Sequence, residues 1–291
     1  MNLLVKINLI LVCVFVAALV PAAMISRSLL DNNAQTQVIQ EARIMMETAM
    51  AMRGYTVNQI KPLLAPMLHE TFLPQSVPAY SATEIFNTLR ATHPEYTYKE
   101  ATLNPTNPRN RAVDWETDLV NEFRRDAEIK ELVGQRDTPL GRALYLSHPI
   151  KVSNEACLAC HTTAESAPPA MLAAYSSGGG FGWEMGEIIG AQIVQVPMST
   201  PVKMASEIFQ TLLLTLVGIF VFILLALNLL LHFVVLQPMR RLSAMADQVS
   251  HGDMEVENVP IKGCDEVAAL TGSFNRMRIS LVTALKMLEN D

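Results

Sequence analysis

Two long stretches without a charged side chain constrain the fold of this 291-residue chain more than any other feature. The first covers the 20 residues from 7 to 26, and the second covers the 32 residues from 208 to 239. At about 1.5 Å per residue, an apolar helix of either length crosses the hydrocarbon core of a bilayer. Half of all residues are hydrophobic and only 17% are charged, which is also typical of a chain with membrane segments.

The charges beside these stretches predict their orientation. Lys6 precedes the first and Arg240-Arg241 follows the second, so the positive-inside rule places both ends in the cytoplasm. A cleaved signal peptide is the alternative for the first stretch, since small residues at 21–23 lie near its end. We therefore predict a cytoplasmic segment at 1–6, a membrane helix at 7–26, an external domain at 27–207, a second membrane helix at 208–236 and a cytoplasmic domain at 237–291.

A short motif in the external domain has the spacing of a c-type haem attachment site. Cys157 and Cys160 are separated by two residues, and His161 follows directly. Each thiol can add to one haem vinyl group, and the adjacent histidine can then bind the iron. One covalent haem c is therefore expected. Of the alternatives, a disulfide is strained by the short spacing, and a zinc site needs further ligands.

Hydrophobic periodicity predicts an α+β external domain. Residues 28–60 are rich in helix formers and predict one long helix that continues the first membrane helix. Strands are expected at 96–103, 143–152 and 187–197, and helices from Ser81, which opens a capping box, and from Asp114. An antiparallel sheet with a long N-terminal helix is the simplest assembly of these elements.

The cytoplasmic domain has a helix–connector–helix pattern. Pro238 precedes an amphipathic helix that Gly252 ends, and a second helix begins at Asp265. From Val267 to Leu288, apolar residues recur at alternating intervals of three and four, which is the heptad pattern of a coiled coil. A parallel homodimer is expected, because a single copy leaves this stripe in water. A helix packed on one globular neighbour is the alternative.

Several motifs make the chain similar to bacterial transmembrane receptors. Residues 237–288 resemble a HAMP signal-relay domain, through Pro238, Asp265-Glu266-Val267 and Phe274-Asn275-Arg276-Met277. Residues 40–200 resemble the periplasmic c-type haem sensor domains of PAS-like fold in the Tll0287-like family. Besides the haem motif, this resemblance rests on Arg53-Gly54-Tyr55-Thr56, Leu103-Asn104-Pro105-Thr106-Asn107-Pro108, Asp114-Trp115-Glu116, Gly180-Phe181-Gly182-Trp183 and Ile189-Gly190-Ala191-Gln192.

The resemblance also implies which residues complete the iron coordination. His161 is the expected first axial ligand, and family members take the second from a Met or Cys of the N-terminal helix, or leave it to water. This helix has no cysteine, but Met46 and Met50 lie one turn apart on one face, beside Met45 and Met52. The resemblance favours Met46. For each methionine, core packing is the alternative.

Other side chains are weaker candidates at the haem. His69, His93 and His148 are possible axial ligands, although a lone histidine usually has a local partner. Arg53, one turn beyond Met50, is expected either to pair with a haem propionate or to be solvated.

Together these features predict a membrane-anchored haem c sensor in the bacterial inner membrane, with its haem domain in the periplasm. Redox state or a small gas such as NO or CO would move the long helix. The HAMP bundle would relay this movement to a separate kinase or chemotaxis-type protein, or to further domains of a longer receptor. An electron-transfer cytochrome is the alternative. No acid–base set indicates an enzyme, and the net charge of −6 gives no support to nucleic-acid binding.

Overall fold

The computed structural model describes residues 3–68, 70–253, 256–258, 260, 263 and 265–289. His69 and Cys264 therefore lie outside the described residues. The chain divides into two compact units, Ile25–Phe209 and a second that combines Met1–Met24 with Gln210–Asp291. The fold is 66% helical with a four-stranded antiparallel sheet, which confirms the predicted α+β class.

The N-terminal helix is longer than either predicted segment alone. Helix α1 spans Leu3–Tyr55 and includes Pro21. It passes into a π-helical segment at Thr56–Ile60 and then into the short helix α2 at Lys61–Leu64. One continuous helical segment therefore covers the first apolar stretch and the predicted helix at 28–60. A π-helical turn within a helix is often found at functional sites.

The rest of the unit Ile25–Phe209 alternates short helices with strands. In chain order these are α3 Pro78–Arg90, β1 Thr97–Thr102, α4 Asp114–Arg125, β2 Leu132–Thr138, β3 Gly141–Lys151, α5 Glu155–His161, α6 Pro169–Tyr175 and β4 Ile188–Pro197. Helix α3 begins three residues before the predicted capping box. Val77 is extended and Pro78 occupies the first helical turn, where its fixed backbone angle favours helix initiation.

The strands within the described residues form one sheet of order β1-β4-β3-β2, with every neighbouring pair antiparallel. Strand β4 lies between β1 and β3 and is buried along nearly its whole length, because side chains pack against it on both faces of the sheet. Strand β2 lies at the edge. Its exposure alternates with every residue, and the sequence analysis did not predict it.

Helices cover both faces of the sheet. Val38, Met46 and other residues of α1 pack with Phe86 of α3 against Tyr98, Leu144, Leu146, Val194 and Val196 on one face. On the other face, Val120 and Phe123 of α4 pack against Ala101, Ala191 and Ile193. Burying these side chains provides the main stabilisation of the domain. Helix α1 thus lies directly on the sheet.

The described secondary structure of the second unit consists of helices. Helix α7 spans Ser199–Leu231, followed by a π-helical segment His232–Leu236, helix α8 Gln237–Ser250 and helix α9 Glu266–Glu289. Helices α1 and α7 are long and apolar enough to cross a membrane. Between them, the amides of Asn8 and Asn228 hydrogen-bond to each other in both directions, at 2.9 and 2.8 Å.

Candidate functional site

Helix α5 carries both cysteines and the histidine of the haem motif. Asn154 caps it, because its side-chain oxygen accepts a hydrogen bond from the backbone N–H of Ala156 at 2.8 Å. Cys157 and Cys160 are three residues apart on a helix, so their thiols share one face. Both are free cysteines and half-buried. The two thiols are thus available together for reaction with one ligand.

Two cations near the end of the N-terminal helical segment interact electrostatically with the cysteines of α5. Arg53 interacts electrostatically with Cys157. Burial raises the pKa of Cys160, Lys61 opposes this shift and Cys157 adds to it. Cys160 is therefore protonated at neutral pH. The Arg53 motif and the haem motif, which are about 100 positions apart in the sequence, come together in the fold.

The imidazole of His161 is held in a defined tautomer. Its Nδ1 lies 2.7 Å from the carbonyl oxygen of Gly180. A carbonyl can only accept, so Nδ1 carries the proton and Nε2 keeps its lone pair. Burial lowers the pKa of His161 more than the Gly180 hydrogen bond raises it, so the ring is neutral at pH 7. The Trp183 ring stacks on the imidazole, with centroids 3.8 Å apart.

The donor set fits the predicted cofactor. Covalent haem c attachment needs two thiols on one side of a short helical turn, followed by an imidazole nitrogen that is free to bind iron. Cys157, Cys160 and Nε2 of His161 supply these groups. Among the described residues, no group of three or more His, Cys, Asp and Glu side chains gathers as a metal site.

Arg53 forms a buried ion pair with Glu100 of β1. Nη1 of Arg53 donates to both carboxylate oxygens at 2.5 Å, and the Glu100 side chain is only 4% exposed. Tyr98 donates its hydroxyl to the same carboxylate at 2.7 Å. Burial, followed by the charge of Glu100, raises the pKa of Tyr98, so its hydroxyl remains a donor. Arg53 is therefore bound by the protein rather than solvated.

Met46 and Met50 have different surroundings. Met46 is 1% exposed and packs in the core between α1 and the sheet. Met50 is 46% exposed. It also lies closer along the helix to Arg53, which is beside Cys157. The sulfur of Met50 is thus accessible to a ligand, whereas Met46 would have to leave the core.

The described competing histidines have local partners. Nδ1 of His93 lies 3.8 Å from a carboxylate oxygen of Glu95, and its ring contacts Tyr96 edge-on. Nε2 of His148 lies 3.4 Å from Glu131. These contacts account for both side chains without an iron.

The comparisons with known proteins agree with these features. The model of the Tll0287-like family (Tll0287) matches residues 31–197, more than half of the chain. The chain belongs to the Tll0287-like family. The HAMP domain model matches residues 230–283. A crystal structure of the cyanobacterial heme-protein Tll0287 is similar over 55% of this chain and 94% of that chain, at 17% identity and a TM-score of 0.43. The search of curated proteins gave no match.

A Tll0287-like domain, a HAMP domain and two long apolar helices together indicate a membrane-anchored receptor of signal transduction. Two parts of the site were not predicted from the sequence. Glu100 was not assigned as the partner of Arg53, although a charged residue at an inward position of a strand was a usable signal. Gly180 and Trp183 were not connected with His161, because only the folded chain brings them together.

Proposed function

We propose that this protein is a membrane-anchored periplasmic haem c sensor of the bacterial inner membrane, and that it acts through its HAMP domain without being an enzyme. The observation that carries the proposal is helix α5, on which two free thiols precede a neutral imidazole whose Nε2 is available. The HAMP match supports a signalling role over simple electron transfer, because a heptad relay serves no purpose in moving electrons.

The proposed topology follows the flanking charges. Residues 1–6 and the HAMP domain at 237–291 lie in the cytoplasm, 7–26 and 208–236 cross the membrane, and 27–207 form the periplasmic sensor domain. Reporter fusions after Ser177 and after Asp291 test this arrangement. The two reporters are expected in opposite compartments. Finding both reporters outside the cytoplasm would contradict the arrangement.

Cys157 and Cys160 would hold one haem through thioether bonds, and Nε2 of His161 would bind its iron. When bound, the haem supplies an iron that changes its redox state or gas occupancy. Both hydrogen bonds from Arg53 to Glu100 use Nη1. The other N–H groups of the guanidinium can therefore donate hydrogen bonds to a haem propionate. Arg53 would then connect the haem, α1 and β1.

The second axial ligand is proposed to come from α1. Exposure favours Met50 and family resemblance favours Met46, so the two single alanine variants decide between them. A thioether ligand raises the reduction potential, and its loss should lower the potential and change the absorption spectrum. If both variants leave spectrum and potential unchanged, the ligand lies elsewhere or is water.

The covalent haem is the first test of the proposal. Full-length protein made with the cytochrome c maturation machinery should retain one haem after acid-acetone extraction and denaturing electrophoresis. Cys157→Ala/Cys160→Ala should lose it, whereas Cys13→Ala is the matched control and should keep it. Complete loss of haem from the unaltered protein under these conditions would contradict the proposal.

The relay is tested in the parallel homodimer that the heptads predict. Single cysteines at Leu270, Phe274 and Met277, in a background without Cys13 and Cys264, should crosslink between the two copies. A cysteine at Arg276, which is exposed beside the seam, is the control and should crosslink less. The rates should differ between oxidised, reduced and gas-bound protein. Identical rates in every state would favour the electron-transfer function.

A further inference from the structure

We propose that Gly180 and Trp183 are positioning residues that set the strength of the bond between His161 and iron, and that the segment Asn104–Thr106 holds them in place. We call residues 178–183 the glycine loop and residues 104–106 its seat. The inference rests on the proposed function, because it assigns a role in tuning the same haem.

The glycine loop restrains the His161 ring in two directions. The hydrogen bond from Nδ1 to the Gly180 carbonyl, at 2.7 Å, fixes rotation within the ring plane. The indole of Trp183 covers one face of the ring, at an interplanar angle of 13°, and restricts tilting. Two backbone hydrogen bonds attach the loop to the end of α5: Gly182 donates to Thr162 at 2.9 Å and Trp183 donates to His161 at 3.2 Å.

The seat contacts the glycine loop closely and thereby fixes the position of the Gly180 carbonyl. A Cβ on Gly180 would lie 1.9 Å from Oγ1 and 2.9 Å from Cα of Thr106. A Cβ on Gly179 would lie 2.7 Å from the carbonyl oxygen of Pro105. Asn104 adds a hydrogen bond from its Nδ2 to the carbonyl of Phe181 at 3.3 Å. Only glycine therefore allows the loop to lie this close to the seat.

Thr106 contributes its bulk rather than a hydrogen bond. Its Oγ1 is buried and has no hydrogen-bond partner among the described residues. Replacing the hydroxyl by a methyl group, as in Thr106→Val, keeps the shape of the seat. This variant should therefore leave the loop in place.

The expected effect on the iron follows from the hydrogen bond. A partner that accepts from Nδ1 orients a metal-bound histidine and raises its basicity, and losing such a partner typically weakens metal binding about 10–100-fold. A more basic ligand favours the oxidised iron. Moving the Gly180 carbonyl away should therefore raise the reduction potential and make His161 easier to displace.

The test compares two glycines of the same loop in the full-length, haem-loaded protein. Gly180 and Gly182 both have positive φ, +86° and +81°, but a Cβ on Gly182 meets no described atom within 4 Å. Gly180→Ala should raise the potential, and the equilibrium constant for dissociation of His161 from the reduced, NO-bound iron should rise by about 10-fold or more. Gly182→Ala carries the same backbone strain without the clash and should change either measurement much less.

A double variant and a second residue keep the inference testable if Gly180→Ala folds poorly. Thr106→Gly removes two of the three closest atoms, so Thr106→Gly/Gly180→Ala should recover part of the shift. Trp183→Leu leaves the seat intact but removes the stacked ring, and His161 should dissociate from the reduced, NO-bound iron more easily than in Trp183→Phe. Equal potentials for the Gly180 and Gly182 variants, or no difference between the two Trp183 variants, would overturn the inference. Covalent haem that survives in every variant keeps the proposed function separate from this outcome.

Discussion

Two arginines of helix α1 bind glutamates of the sheet region, and they differ chiefly in burial. The side chains of Arg53 and Glu100 are 24% and 4% exposed, whereas those of Arg43 and Glu131 are 50% and 28% exposed. Breaking an exposed ion pair costs little free energy, because water and salt ions then solvate both charges. Removing one partner of a buried pair costs more, because the other charge stays buried without a partner. The ion pair of Arg53 with Glu100 should therefore restrain α1 more strongly than the ion pair of Arg43 with Glu131 does.

Removing the buried carboxylate should have the largest effect on stability. Glu100→Ala leaves the buried charge of Arg53 without its partner, which should cost about 3–5 kcal/mol of unfolding free energy. Urea unfolding of the full-length protein in detergent measures this loss through Trp115 and Trp183, which both lie in the sensor domain. Arg53→Met/Glu100→Leu is the control and should recover much of it, because two apolar side chains leave no uncompensated charge. A loss under about 1 kcal/mol would mean that the pair behaves like an exposed one.

Two tyrosines sharpen the comparison, because each donates a 2.7 Å hydrogen bond to a glutamate. The bond from Tyr98 to Glu100 is buried, and the bond from Tyr96 to Glu41 is partly buried. Tyr98→Phe should lower the unfolding free energy by about 1.5–3 kcal/mol, the usual value for a hydrogen bond to a charged group. Tyr96→Phe, measured in the same way, should cost clearly less. Equal losses would show that burial does not decide the strength of these bonds.

The exposed pair of Arg43 and Glu131 should contribute little to the free energy of unfolding. High salt should remove this small contribution. Glu131→Gln is expected to destabilise the protein much less than Glu100→Ala does, because water already screens Arg43. Unfolding in low salt and in about 1 M NaCl, where the Debye length is about 3 Å, measures the difference. A loss that persists unchanged in high salt would break the comparison.

The smallest effect is a pH dependence. The hydrogen bond from Arg43 lowers the pKa of Glu131 below its ordinary value of 4.5, with burial opposing the shift and His148 assisting it. The unfolded chain then binds more protons near pH 4.5, so the stabilisation is present above this pH and is lost as the pH falls through the folded-state pKa. The difference between unaltered protein and Glu131→Gln should therefore shrink below about pH 4.5. A difference that grows on acidification would contradict the sign.

The sequence predicts those helices and strands in which the burial of the side chains produces a local hydrophobic pattern. Strands β1, β3 and β4 lie within about two residues of the strands predicted at 96–103, 143–152 and 187–197, and α4 begins at Asp114 as expected. Strand β2 was missed because none of its residues is buried, so Gly134, Gln135 and Asp137 give no hydrophobic period. Helix α3 begins at Pro78 instead of Ser81, because proline initiates the helix before the capping box does.

The candidate site is only partly visible in the sequence. The haem motif is local, since its three residues lie within five consecutive positions of α5. The environment of the motif is not local: Glu100 lies 47 residues from Arg53, and Gly180 lies 19 residues from His161. No local periodicity encodes such pairs, because they arise only when β1 and the glycine loop are placed by the rest of the fold. The burial of Met46 likewise follows from the packing of α1 on the sheet.

The amide pair between Asn8 and Asn228 has a consequence for biosynthesis. Its two members are 220 residues apart, so the ribosome needs roughly 10–40 s to reach Asn228 at about 5–20 residues per second. During that time Asn8 must satisfy its amide with lipid headgroups, water or other proteins near the membrane surface. The helical hairpin can close only after the second segment has inserted. The domain between the two apolar helices is therefore synthesised, and can begin to fold, before these helices are joined.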